Sequence, residues 1–141
     1  MILLDANVLL YAYDARSPRH LKAKAWLEKT FSGTDSVFLS WTTLLAFVRI
    51  VTHPRVFQSP LSLEAAILCV DGWLERPCVQ VLQCGDDHWK IFCRVALGGQ
   101  VRGPMIMDAH LAALAVEHGM TLVTTDRDFA RFEGLRFKDP L

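Results

Sequence analysis

No apolar run in this chain approaches the roughly 18 residues that a membrane-spanning helix needs, so the sequence does not read as a helical membrane protein. Its opening, Met1-Ile2-Leu3-Leu4-Asp5, lacks a basic lead-in and a small-residue cleavage site, and is not expected to act as a signal peptide. Cysteine is sparse. Cys69, Cys78, Cys84 and Cys93 contain no Cys-x-x-Cys pair, which argues against a zinc ribbon. Without an export signal they are expected to be reduced, buried structural thiols of a cytoplasmic protein. An excess of one charge sign is also missing, since Lys+Arg and Asp+Glu each number 15. A nonspecific duplex binder draws its affinity from phosphate neutralisation and is normally strongly basic. Any nucleic acid bound here is therefore gripped locally. The balance is uneven along the chain: seven basic and four acidic residues precede position 58, and eight and eleven follow. Repeats, low-complexity tracts and long linkers are absent too, so residues 1–141 read as a single domain.

What is present describes a globular α/β protein: 52% of residues are hydrophobic and 21% charged. Short apolar runs at 2–4, 37–39, 79–82 and 122–123, with a weaker one at 135–137, read as strands. Between them lie helical patterns. A short helix follows Asn7; a second starts at Ser17-Pro18 and runs to about Thr30, with Leu21, Ala25 and Trp26 on one face. Further helices are predicted at 42–51, 63–74 (Ala66, Ile67, Val70 and Leu74 on one face), 86–97 and 108–118, the last closed by Gly119. Strands alternating with helices imply a parallel sheet covered on both faces, whose ligands bind beyond the carboxyl ends of the strands.

Asp5 directly follows the first strand, Asp108 opens a helix, and Asp126 follows the fourth strand in Thr124-Thr125-Asp126-Arg127-Asp128-Phe129. Each alone is adequately explained as a helix cap or dipole partner. Three such acids in one small domain instead suggest a shared site. Converging carboxylates repel one another, and Mg²⁺, which takes oxygen ligands and retains waters, suits such a cluster.

In this order and spacing, Leu4-Asp5-Ala6-Asn7-Val8-Leu9, Trp41-Thr42-Thr43-Leu44-Leu45-Ala46-Phe47-Val48-Arg49, Asp108-Ala109-His110-Leu111 and Leu122-Val123-Thr124-Thr125-Asp126 resemble PIN-domain ribonucleases, specifically the VapC-type toxins of toxin–antitoxin pairs. The resemblance covers essentially the whole chain. It implies a three-layer α/β/α fold with a central parallel sheet in the order 3-2-1-4-5. It also implies a metal-dependent endoribonuclease in which Asp5, Asp108 and Asp126 are the catalytic, metal-binding acids. Mg²⁺, with Mn²⁺ as the other candidate, would activate a water that attacks RNA phosphorus and leaves a 5′-phosphate and a 3′-hydroxyl. A VapB-type antitoxin would inhibit the enzyme, and a homodimer is the implied assembly. Asn7 and Thr125 fall at polar positions that line or brace the site. The sequence departs from the family at the helix after strand two, where a glutamate is usual and Phe47 aligns; this puts a second metal in doubt.

Other polar residues have ordinary readings. Arg49, His53 and Arg55 read as a helix C-terminal cluster complementing the dipole, with RNA phosphate contact as the alternative. Arg16, Arg19, His20, Lys22 and Lys24 read as a solvated face. His110 is assigned to packing or support of the site, and Asp128 to capping the turn into Phe129. The four tryptophans belong to the core or a dimer surface. Competing functions are a catalytically weakened PIN-fold RNA- or protein-binding module, a housekeeping PIN nuclease, a structure-specific DNA nuclease, which is usually longer and more basic, and a phosphoacceptor receiver domain. The last lacks its acidic pair beside Asp5 and an aspartate directly after Leu82.

Overall fold

The computed structural model describes residues 1–141. Five short strands form one parallel sheet in the order β3-β2-β1-β4-β5. They are β1 (Ile2–Leu4), β2 (Val37–Ser40), β3 (Val79–Leu82), β4 (Thr121–Val123) and β5 (Arg136–Lys138). The helices are α1 (Ala6–Tyr13), α2 (His20–Phe31), α3 (Trp41–Val51), α4 (Leu63–Leu74), α5 (His88–Gly98) and α6 (Met105–Glu117), and a 3-10 turn spans Arg127–Arg131. The expected α/β/α architecture and strand order are therefore both present.

Strand alternation divides the interior in two, because successive side chains point to opposite faces of a sheet. Leu4, Leu39, Val79 and Val123 face α1 to α4 and join Val8, Leu9, Leu27 and Phe47 in one core. Leu3 and Leu122 face the other way and join α6, Val95, Phe129 and Phe132 in the second. Helix α6 is buried around most of its girth, with every residue from Leu111 to Ala115 in the core. Its many alanines allow that close approach on two sides.

Several helix starts differ from the sequence expectation. Ser17-Pro18 does not begin α2. Ser17 Oγ accepts from the Arg19 amide at 3.1 Å in a local turn, and α2 starts at His20. A hydroxyl that satisfies an amide two residues on stabilises a turn as readily as a helix cap. The buried stripe of α2 is consequently Ala23, Leu27 and Phe31, while Leu21 and Ala25 are exposed. Ile67 on α4 is likewise exposed, and Trp73 takes its place in the core. Helix α5 starts at His88, and α6 starts at Met105, which puts Asp108 inside the first turn rather than at the cap.

The end of α6 matches expectation. Gly119 has φ +62°, and the Met120 amide donates to Ala115 O at 2.9 Å while Gly119 N donates to Val116 O at 3.2 Å. This paired closure needs a left-handed residue, and glycine adopts that conformation without steric cost. It turns the chain directly into β4.

Candidate metal centre

The strand order reverses between β1 and β4: β2 and β3 lie to one side of β1, β4 and β5 to the other. Connections depart from such a switch point in opposite directions and leave a crevice beyond the strand ends. Asp5 stands there directly after β1. It occupies the cap position of α1, but its side chain makes no cap hydrogen bond. Its Oδ2 instead accepts from the Thr124 hydroxyl at 2.7 Å.

Thr124 uses its hydroxyl fully. The oxygen donates to Asp5 and accepts from Asn7 Nδ2 and from the Asp126 amide, each at 3.0 Å. A threonine hydroxyl offers one donor and two acceptor sites, so this buried group is satisfied. The brace assigned to Thr125 from the sequence thus belongs to Thr124; the Thr125 amide makes only a long contact, 3.4 Å, to Asn7 Oδ1. Thr124, the next position after Val123, is still buried with the strand, whereas Thr125 is half-buried.

Asp126 caps the 3-10 turn, its Oδ1 accepting from the Asp128 amide at 2.8 Å. The cap is therefore Asp126, and Asp128 is its exposed donor, opposite to the expectation. Burial pushes the Asp5 carboxyl up, and the Asp126 charge adds to that, while the Thr124 hydrogen bond partly opposes it. Asp108 is pushed up to about 6 by burial and then by Asp5, Asp126 and Asp128, with Arg131 opposing only in part. The three predicted acids are thus electrostatically one site. They are not a closed cage: the tight donor cluster of this molecule, with atoms within 4.8 Å of one another, lies elsewhere.

Asp5 and Asp108 line a cavity of about 560 Å³ whose other walls include Thr42, Ala46, Arg49 and Met107. Asp126 acts on it from outside those walls. Residues 42, 45, 46 and 49 follow the spacing of one helical face, and all four line the cavity. Phe47 lies one residue, about 100°, further round. It is fully buried on the opposite side of α3, its ring 4.6 Å from Trp73 and 5.3 Å from Tyr13. The α3 position that faces the acids is therefore Ala46, and the alignment that put Phe47 there is one residue out of phase. Of the three basic residues near the end of α3, Arg49 alone lines the cavity; His53 instead accepts from the Arg55 amide at 3.1 Å. Trp73 is core, Trp26 half-buried, and Trp41 and Trp89 exposed.

The PIN domain family profile matches residues 2–135. Ribonuclease VapC37 of Mycobacterium tuberculosis (strain ATCC 25618 / H37Rv) is 43% identical over 140 residues, covering 99% of this chain and 97% of that one. Ribonuclease VapC48 of the same strain is 39% identical over 137 residues, covering 96% and 94%. Among solved structures, VapBC2 from Rickettsia felis bound to a promoter DNA fragment matches with TM-score 0.69 and 19% identity over 98% of both chains. VapC20 of Mycobacterium tuberculosis, described as a sarcin-ricin loop cleaving toxin, matches with TM-score 0.69 and 20% identity over 96% and 99%. At such identities the structural matches establish the fold.

The crowding of Asp108 has a measurable consequence. Its folded pKa of about 6 lies above the ordinary 3.8, so the folded chain holds the extra proton between those values. Its contribution to stability therefore falls as pH rises from about 4 to about 6, and the cost is full above that. Asp108→Asn removes the charge, and solvent screening limits the gain to about 1 kcal/mol. In metal-free protein the variant is expected to melt about 2–4 °C higher at pH 7.5, with the gain vanishing near pH 4. An equal or lower melting temperature at pH 7.5 would show that the acids are not in conflict.

Proposed function

The chain belongs to the PIN-domain family, on its VapC ribonuclease branch, and from that membership we propose that it is a divalent-metal-dependent endoribonuclease, the toxin of a toxin–antitoxin pair, folded as a single domain over residues 1–141. One observation carries this reading: Asp5 and Asp108, from distant parts of the chain, line one cavity at the switch point of the sheet, and Asp126 stands near enough to repel both. The donor set is all oxygen and anionic, which fits Mg²⁺ or Mn²⁺ and not a softer ion. Its looseness also fits Mg²⁺, which keeps several waters and binds through one or two carboxylates plus substrate phosphate. Asp5, Asp108 and Asp126 would hold the ion.

When bound, such a cation supplies Lewis acidity, activating water for attack and offsetting charge that builds on the phosphodiester. The chain's own residues do the positioning. Thr124 fixes the Asp5 carboxylate through Oδ2. Asn7 holds Thr124 in turn. Arg49, exposed on the cavity wall, is placed to grip a phosphate of the RNA. The gap at Ala46 favours a second reading, a catalytically weakened RNA-binding module. Purified protein is expected to cleave RNA in Mg²⁺ or Mn²⁺, with Asp5→Asn and Asp108→Asn each slower by at least about tenfold. RNA binding with no cleavage would favour the second reading, and equal cleavage in EDTA would overturn the first.

Ala46 yields a sharper test of the same site. Ala46→Glu adds a carboxylate to the cavity wall and is expected to tighten Mg²⁺ binding in calorimetry. Phe47→Glu is expected to bind no better and to destabilise the fold by more than the ~3–5 kcal/mol typical of losing a packed phenylalanine, because it also buries a charge. Tighter binding by Phe47→Glu alone would reverse this assignment.

A VapB-type antitoxin belongs to the same proposal, as do a homodimer and a cytoplasmic location. No helix is long and apolar enough to cross a membrane. Two features support a protein inhibitor. A second cavity of about 560 Å³ opens between α1, α2 and α4, lined by Tyr13, Leu27, Leu68 and Trp73 with Lys24 and Arg76 at hand, and this apolar lining with a basic edge suits an amphipathic helix. The uncompensated acids attract a guanidinium, which pairs with carboxylates in a bidentate fork. Purification from the native host is expected to recover a small co-encoded protein. Recovery of the chain alone would favour a housekeeping nuclease.

A further inference from the structure

The molecule's tight donor cluster is not among the acids. One ligand atom each from Cys84, His88 and His110 lies within 4.8 Å of the others. Cys84 follows β3, His88 opens α5 and His110 lies in the second turn of α6. Their chemistry differs from that of the acid site: one sulfur and two imidazole nitrogens form a borderline-soft set that suits zinc and disfavours magnesium. We propose that Cys84, His88 and His110 form a second metal site, for Zn²⁺ or a related divalent transition ion, with its fourth position open to water.

The surroundings prepare this site as metal sites are prepared. His88 Nδ1 lies 2.8 Å from Glu117 Oε2, and Glu117 Oε1 accepts from the Gly85 amide at 3.0 Å. The carboxylate is thus held at both oxygens, and it fixes His88 with Nδ1 protonated and Nε2 bearing the lone pair. A carboxylate that orients a histidine from behind is the common support of zinc-binding imidazoles. Gly85 makes it possible, since a side chain there would collide with the Glu117 carboxylate. His88 Nε2 is aimed at His110 Nδ1, 2.9 Å away, with the rings at 79°.

In a tetrahedral site with Zn–N of about 2.0–2.1 Å, two nitrogens stand about 3.3 Å apart. The histidine pair therefore has to open by about 0.4 Å, within reach of side-chain rotation. The proton now shared between the rings moves to His110 Nε2, and the Cys84 thiol releases its proton to solvent. Hydrogen bonding between α5 and α6 would explain the histidines and Glu117. It does not explain a thiol among them, and Cys84, expected from the sequence to be buried, is exposed.

His110 is two residues beyond Asp108, about 200° round the helix, so the two sites lie on different sides of α6. An ion at the proposed site would tie the loop after β3 and the start of α5 to the helix that carries Asp108. The proposal does not depend on the ribonuclease reading.

Protein stripped of transition metals is titrated with Co²⁺ as a spectroscopic stand-in for Zn²⁺, in excess Mg²⁺ to compete for oxygen-only sites. The expected result is a thiolate-to-cobalt charge-transfer band that saturates at about one equivalent and is bleached by Zn²⁺. Cys84→Ser should lose the band while keeping its circular dichroism, because residue 84 is exposed. Glu117→Gln should weaken binding by about tenfold or more, and Asp5→Asn should leave the band unchanged. A folded protein without the band would overturn the proposal. So would a band that survives in Cys84→Ser or disappears in Asp5→Asn.

Discussion

Parallel pairing of β1 with β4 brings together segments 119 residues apart, and the acid site depends on it. Leu4 pairs with Val123, and the next amide, that of Asp5, donates to Val123 O at 3.0 Å. The chain then diverges into α1 on one side and the Asp126 turn on the other. Thr124 sits at the fork and holds both branches, Asp5 through its hydroxyl proton and the Asp126 amide through its oxygen. A shift of one residue in this register would reverse the faces of Leu3 and Leu4 and exchange the two cores. The hydrophobic demand of both faces thus fixes where the carboxylates stand.

That placement stores electrostatic conflict. Asp5 and Asp108 are both pushed up by burial and by neighbouring acids, and Arg131 offsets little of it. The surrounding structure tolerates the conflict because its two cores are apolar and no buried side-chain polar atom lacks a partner. Strain of this kind is commonly concentrated where a ligand relieves it.

Helix α6 is the element that both candidate sites share. Its alanine-rich middle is packed between the sheet and α5, so it has little freedom to tilt. Asp108 leaves it toward the cavity, and His110 leaves it toward His88 and Glu117. A carboxylate on one side and an imidazole on another are thereby set by a single rigid body.

The sequence by itself determined the strands, the placing of Asp5 and Asp126 after strand ends and the glycine closure of α6, and the sheet order followed from the family resemblance. These follow from short-range rules: apolar runs between turn residues, acids at strand ends, and a left-handed position that favours glycine. Tertiary structure decided the rest. Ser17 could satisfy an amide in a turn or in a helix, and packing of Ala23, Leu27 and Phe31 chose the turn. Thr124 and Thr125 are chemically identical neighbours, and only the register of β4 against β1 separates the brace from the bystander. Ala46 and Phe47 differ by one residue of helix, and only the aromatic contact with Tyr13 and Trp73 shows which faces the acids. Cys84, His88, His110 and Glu117 follow no sequence motif, because they sit in the loop after β3 and on α5 and α6, and meet only when those elements pack. Spacing along a chain encodes the direction of a side chain within one element, whereas contact between elements depends on how their faces settle against a common core.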